Sequence, residues 1–221
     1  MSRVSTQKCV EAGLLAGAAA LLAIQAGRTA AGLQASGAWW MVPVVVALGV
    51  ACADFATGVL HWLGDRFFEE RTPILGALLI RPFREHHSDP QAMLRHGFLE
   101  LHANSAIPTI ALLGAAQLLD GNPTSAVSAA LELWLLAFCA SGMAANQLHL
   151  WAHAPTVPRL VRCLQRSGVI LSPERHALHH AGRFDRSYCV TSGWLNPLLD
   201  RADFFGRIER ALRALQGVVR R

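Results

Sequence analysis

The segment Arg81-Pro82-Phe83-Arg84-Glu85-His86-His87-Ser88-Asp89-Pro90 sets two adjacent imidazoles among charged and turn-forming residues, in a chain that is otherwise apolar. Further histidines stand at His61, His96, His149, His153, His176, His179 and His180, all in polar segments or at the ends of apolar ones. Neutral imidazole is the commonest metal-ligand side chain, and no apolar core needs so many. His61 and Asp65 are four residues apart, as are His149 and His153. That spacing puts both side chains on one helix face, able to share or bridge a metal. His176 faces His179 or His180 one turn on. His86 and His87 cannot point the same way on a regular helix, so one can bind a metal while the other serves a second metal or orients a ligand.

These nine histidines exceed the three or four ligands of a single zinc ion, and the chain has no H-E-x-x-H. Two metals fit the count, and imidazole suits iron, copper and zinc alike. The setting favours two irons. Neutral imidazoles lower the desolvation cost that carboxylates would carry into a lipid-facing pocket. A di-iron site can activate O2 and remove hydrogen from an unactivated C–H bond, which no side chain does alone. A haem pair or a transporter would put its ionisable residues near mid-membrane, whereas these histidines sit at span ends. His102 reads as an interfacial anchor. Most arginines read as charge set against head groups, and Arg81 and Arg84, beside the paired histidines, as holders of a substrate phosphate.

The elements that must position these groups read as membrane helices. Of the 221 residues, 52% are apolar and only 16% charged, well under the soluble average of about 25%. Residues 9–27 form a first apolar span, which a cleaved leader could also explain; a retained helix is the reading adopted here. Residues 38–63 form a second, opened by Trp39 and Trp40, with Asp54, His61 and Asp65 near or beyond its far interface. Residues 74–80 are too short to cross and dip into the interface. Residues 105–119 are a marginal third span that needs a start near Gly97, residues 120–123 a turn, and residues 125–148 a clear fourth span. Beyond Ala152 no long apolar run remains. Val157, Leu160, Val161 and Leu164, and later Phe204, Ile208, Ala211, Leu212 and Leu215, oppose arginines on two amphipathic interfacial helices.

The five scattered cysteines read as small buried apolar residues. All but one of the 20 basic residues are arginines, and the net charge is +5. That charge sits beside the apolar spans, where anionic head groups rather than nucleic acid attract it. Arginine is concentrated in residues 64–104 and 152–221. The positive-inside rule therefore puts both termini and every histidine on the cytoplasmic side. The fold class expected is an all-α, multi-pass membrane protein of about four transmembrane helices, with a cytoplasmic histidine-rich metal-binding cap.

With these residues in place, the chain resembles the plasmanylethanolamine desaturases. The resemblance runs in order from His61-Trp62 and Asp65 through Arg81–His87, Asp89-Pro90 and Arg95-His96 to Asn146-Gln147-Leu148-His149, Trp151 and His153. It continues with His176, His179-His180 and Thr191-Ser192-Gly193-Trp194-Leu195-Asn196. It departs at Glu100-Leu101-His102-Ala103-Asn104, where the family has Asn in place of His102. The resemblance implies one membrane lipid desaturase domain over residues 1–221, with a core at about 54–199. A membrane helix and loop (1–37) would precede that core and a basic amphipathic tail (200–221) would follow it. It implies conversion of a 1-O-alkyl phospholipid to the vinyl-ether plasmalogen, with iron, O2 and electrons from a cytochrome b5-like or ferredoxin-like donor. Ligand or near-ligand roles are implied for His61, Asp65, His86, His87, His96, His149, His153, His176, His179 and His180. A related branch acts on an acyl chain of phosphatidylglycerol, so an acyl-phospholipid desaturase or lipid hydroxylase is the nearest rival. A histidine-rich metal-handling membrane protein is the rival of another class.

Overall fold

The computed structural model describes residues 3–73, 76, 80–118 and 124–219. Among them no strand occurs and nine α-helices do: α1 (Arg3–Ser36), α2 (Val42–Arg66), α3 (Arg81–Ser88), α4 (Phe98–Leu118), α5 (Ala126–His153), α6 (Arg159–Arg166), α7 (Pro173–His180), α8 (Asn196–Arg201) and α9 (Phe204–Val219). Residues 74, 75 and 77–79 of the expected interfacial dip, and the turn at 120–123, lie outside the described residues.

Local chemistry accounts for the helix ends. Gly37, with φ 64°, breaks the chain after α1, and Pro43 in the first turn of α2 has no N–H to leave unpaired. Ser125 and Ser128 cap the start of α5 reciprocally, and Ser172 accepts the Arg175 N–H to start α7.

The four long helices form a bundle in which α5 packs against α1, α2 and α4, and α1 also packs against α4. The packing is inverted relative to a soluble core. Much of its interior is small or polar, with Ala18, Gln25, Ala53, Ala103, Ala106 and Ala129 buried beside the larger Leu33, Leu113 and Leu133. Its outside is large and apolar: Ile24, Val44, Leu48, Leu112, Val127 and Leu131 are exposed. Small residues let helices approach where lipid supplies no hydrophobic contrast between inside and out. Gly49 shows the constraint, since a Cβ there would lie 2.7 Å from the Ala137 Cβ of α5.

Residues 5–36, 38–66 and 126–153 are long and apolar enough to cross a bilayer. Helix α4 starts at Phe98, as a marginal span beginning near Gly97 requires, but carries Glu100, His102, Asn104 and Ser105 in its first turns. It is not among the three helices that qualify by length and apolarity. At the end of the bundle opposite the histidines, Gln25 donates to the Glu132 side chain and, at 3.1 Å, to its carbonyl. Gln117 donates to Gln25 at 3.2 Å and Arg28 pairs with Glu132 at 2.8 Å, so α1, α4 and α5 are joined by one polar knot.

Asp54 is fully inside the protein. Two sequence expectations are corrected. Cys9, Cys52 and Cys163 are exposed; only Cys139 and Cys189 are buried, because the first three lie on helix faces that no other element covers. Helix α9 is not interfacial along its whole length. Phe205 enters a cluster with Trp62 and Tyr188, flanked by Phe67 and Ile208, and Glu209 clamps Arg66 through two hydrogen bonds of 2.9 and 3.0 Å.

Candidate metal centre

Four helices send imidazoles to one place: His61 from α2, His86 and His87 from α3, His149 and His153 from α5, and His176, His179 and His180 from α7. The i, i+4 spacing does what helix geometry requires. His61 and Asp65 face inward together, and His149 and His153 approach with Nε2 atoms 3.3 Å apart.

The donors fall into two groups. In the first, donor atoms of His86, His149, His153, His176 and His180 all lie within 4.8 Å of one another. The second holds His61, His86, His87 and His179 under the same limit. His86 belongs to both. Within the first group, Nε2 of His176 is 2.8 Å from that of His149, 2.9 Å from His153 and 3.0 Å from His180. One Nε2 cannot satisfy three like neighbours by sharing protons. Donors about 2.1 Å from a common ion, in contrast, fall about 3 Å apart. In the second group, Oδ2 of Asp65 is 3.6 Å from His61 Nε2, 3.7 Å from His87 Nε2 and 3.6 Å from His179 Nε2. Both Asp65 oxygens are buried and accept no hydrogen bond. A buried carboxylate in that state is costly unless a cation lies between it and its neighbours. The residues present therefore fit a metal in each group.

Protonation points the same way. Burial, reinforced by neighbouring imidazoles, holds His86 and His176 well below the usual histidine value. It pushes His87 down to about 3 and lowers His180. His179 falls to about 4, because burial outweighs the carbonyl it donates to. These rings are neutral at physiological pH, the form that binds metal without displacing a proton.

Main-chain carbonyls aim the rings. His61 Nδ1 donates to the Tyr188 carbonyl at 3.1 Å and His179 Nδ1 to the Arg186 carbonyl at 2.7 Å. A carbonyl only accepts, so each Nδ1 carries the proton and each Nε2 turns its lone pair toward the group. The loop that carries Arg186 and Tyr188 thus orients both rings. That loop is itself pinned. Asp54 Oδ1 accepts from Thr191 N (3.1 Å), Thr191 Oγ1 (2.6 Å), Ser192 N (2.9 Å) and Gly193 N (3.0 Å). Asn196 brackets Cys189 with bonds of 2.9 and 3.0 Å, and Asp200 takes the Ser187 N–H and hydroxyl at 2.9 and 2.7 Å. Ser187 and Phe184 sit at φ 56° and 51°, a conformation that bonding of this kind can hold.

One expected residue, His96, lies apart, as does His102, which reads in the sequence as an anchor rather than a ligand. His96 is outside both groups, 3.0 Å from Glu100 and 4.0 Å from Glu85. His102 is buried rather than interfacial, its Nδ1 bound to the Phe98 carbonyl at 2.8 Å. Arg81 is exposed on α3, while Arg84 donates to the Phe68 carbonyl. Sequence reasoning missed the anchoring roles of Asp54, Asn196 and Asp200. For Asp54 a signal existed, since a carboxylate inside an apolar span demands partners.

Comparison with known proteins gives a consistent set. Residues 50–221 match the family model described as the lipid desaturase domain, a range that takes in the tail. The chain is 38% identical over 182 residues to plasmanylethanolamine desaturase of Myxococcus xanthus, covering 82% of this chain and 64% of that protein. It is 34% identical over 186 residues to plasmanylethanolamine desaturase 1 of Mus musculus, covering 81% and 69%. With chloroplastic fatty acid desaturase 4 of Arabidopsis thaliana it shares 32% over 173 residues, covering 77% and 51%. The chain thus spans between 51% and 69% of the length of these relatives. No solved structure is significantly similar to it.

Proposed function

Because this chain belongs to the lipid desaturase domain family, we propose that it is an integral membrane, O2-dependent lipid desaturase acting on a 1-O-alkyl phospholipid to give the vinyl-ether product. The observation that carries the reading is the sharing of His86 between two buried imidazole groups, a donor set for two ions rather than one. Iron suits these neutral nitrogen donors, and bound there it would supply O2 activation and hydrogen removal. The overall reaction takes two hydrogens from adjacent carbons, two electrons from a carrier and two protons from solution, and reduces O2 to two waters.

The chain's own residues have separable tasks. His61, His87, His179 and Asp65 would hold one ion and His149, His153, His176 and His180 the other, with His86 available to either. The loop carbonyls of Arg186 and Tyr188 fix ring orientation, and burial keeps water from the reacting carbons. Arg81, exposed on α3, takes the substrate phosphate; Arg84 braces α3 through the Phe68 carbonyl. We place α4 as a fourth crossing beside the three apolar helices. Arginine asymmetry puts the histidine end and both termini in the cytoplasm. A protein that captures and releases metal would keep its ligands accessible, whereas His61, His86, His176 and His179 are at most 1% exposed.

The test is lipid analysis of cells expressing the chain and fed a 1-O-alkyl glycerol, with His86→Ala as control. Acid-labile vinyl-ether phospholipid formed only by the intact chain supports the reading. The similarity to fatty acid desaturase 4 favours one second reading, desaturation of an acyl chain. New acyl double bonds without vinyl ether would select it, and neither product would refute both.

A further inference from the structure

A cleft of about 220 Å³ opens beside the imidazole groups, between the end of α2 and α9. Its lining includes the rings of Trp62 and Tyr188 together with Arg66, Glu209, Arg210 and Arg213. Tyr188 is the only tyrosine in the chain. Its ring centroid lies 5.8 Å from that of His61 and 5.1 Å from that of His179. It is 1% exposed and its hydroxyl is bound to the Phe184 carbonyl at 2.8 Å, so it forms a closed wall one ring thick. Phe205 lies between it and Trp62, at 4.9 and 5.4 Å. Trp62 is 5% exposed, yet its indole N–H, in this cleft-lining ring, has no hydrogen-bond partner. No molecule passes such a wall, but an electron tunnels through it. His87, His153 and His180, which keep some exposure, are not the rings that Tyr188 touches. Lipid and electrons thus have separate approaches.

The charge selects the visitor. Arg66, Arg210 and Arg213 are matched in the lining by Asp185, Asp203 and Glu209, so the cleft itself is balanced. Arg186 and Arg207, next in the chain to the lining residues Asp185 and Gly206, are exposed and add positive charge at its rim. We propose that this cleft is the docking site of a one-electron carrier protein with an acidic rim, and that Tyr188 passes its electrons to the His61–His179 side of the centre. This rests on the desaturase reading, in which each turnover draws two such electrons. An anionic lipid surface would engage the arginines alone and would leave the Tyr188 ring, set between the cleft and His61 and His179, without a part.

The test uses the full chain in phosphatidylcholine nanodiscs, titrated with a soluble cytochrome b5 haem domain and with a [2Fe–2S] ferredoxin at low and high salt. One carrier is expected to bind, more weakly as salt rises. The double variant Arg210→Glu, Arg213→Glu should lower that affinity about tenfold or more and flatten the salt dependence, in metal-free and metal-loaded protein alike. Tyr188→Leu should leave affinity intact and slow oxidation of the pre-reduced carrier by about tenfold, and Tyr188→Phe, which keeps the ring, should restore it. Phe205→Leu supplies the second measurement if Tyr188→Leu does not retain metal. Unchanged affinity in the charge-reversed protein, or a defect confined to vesicles containing phosphatidylserine, overturns the docking. Unchanged oxidation rates in the ring variants overturn the relay. Wild-type protein that binds a carrier but yields no unsaturated lipid, with it or with dithionite, refutes the desaturase reading and leaves the docking standing. Product formed with dithionite and no affinity for either carrier does the reverse.

Discussion

His61 Nδ1 meets the carbonyl of Tyr188, 127 residues further along the chain, at 3.1 Å. That one contact ties the last turns of a membrane helix to a loop near the C-terminal end, and it sets which nitrogen of His61 faces the metal centre. Asn196 and Asp200 brace that loop from within its own segment, and Asp54 ties it to α2.

Replacing Asp54 by Ala should therefore act on the centre from a distance. The change leaves three buried N–H groups and one hydroxyl without their acceptor, a cost of about 3 kcal/mol or more. Thermal unfolding in detergent should shift down, and iron per chain should fall although no proposed ligand is altered. Retention of both at wild-type level would show that the loop needs no such anchor.

Gly58 gives a second handle on the same loop. A Cβ at this position would lie 2.7 Å from Cys189 Sγ. Gly58→Ala should cost about 1–3 kcal/mol by overpacking, and Cys189→Ala in the same chain should return most of it. The double-mutant cycle in thermal stability measures this, and additive effects would deny the contact.

The two donor groups make a stoichiometric prediction. His61→Ala should reduce about two bound ions to about one, and so should His149→Ala, each through its own group. His86→Ala should lower occupancy of both, and His96→Ala neither. Metal analysis of the purified variants decides it; equal losses from His86→Ala and His61→Ala would argue against a shared ligand.

Asp65→Asn keeps the shape of the side chain and removes its charge. The three surrounding Nε2 atoms then lose the carboxylate 3.6–3.7 Å away, so the His61 group should bind metal about tenfold more weakly or worse while the His149 group is spared. Competitive titration with a chelator reads both affinities.

Acid should release α9 before it unfolds the bundle. The hydrogen bond from Arg66, aided by Arg213, holds the Glu209 carboxyl below its ordinary value of 4.5. A depressed carboxyl stabilises fully above the unfolded value and loses that contribution as pH falls through the folded one. Proteolysis of the tail should accelerate below about pH 4.5, and in Glu209→Gln it should be fast already at neutral pH and change little across that window.

Helix faces were legible in the sequence because side-chain spacing is a local property. The pairs His61 with Asp65 and His149 with His153 follow from 3.6 residues per turn, whatever the rest of the chain does. Arginine and apolar runs likewise gave the bundle. The groups that orient the rings were not legible, since the carbonyls of Arg186 and Tyr188 carry no residue type. Their placement depends on a loop crossing back to α2. Asp54 was visible as a residue and invisible as an anchor for the same reason. His96 shows the converse. Its neighbourhood along the chain resembles a ligand's, yet the fold turns it to Glu100.

The knot of Gln25, Gln117, Arg28 and Glu132 stands at the end of the bundle away from every proposed ligand. Its hydrogen bonds and its ion pair run between protein side chains and the Glu132 carbonyl, so α1, α4 and α5 are joined far from the imidazole groups. The far end of the bundle is thus fastened by contacts that no donor group of the candidate centre shares, and assembly of the helices there is separable from occupancy of the centre.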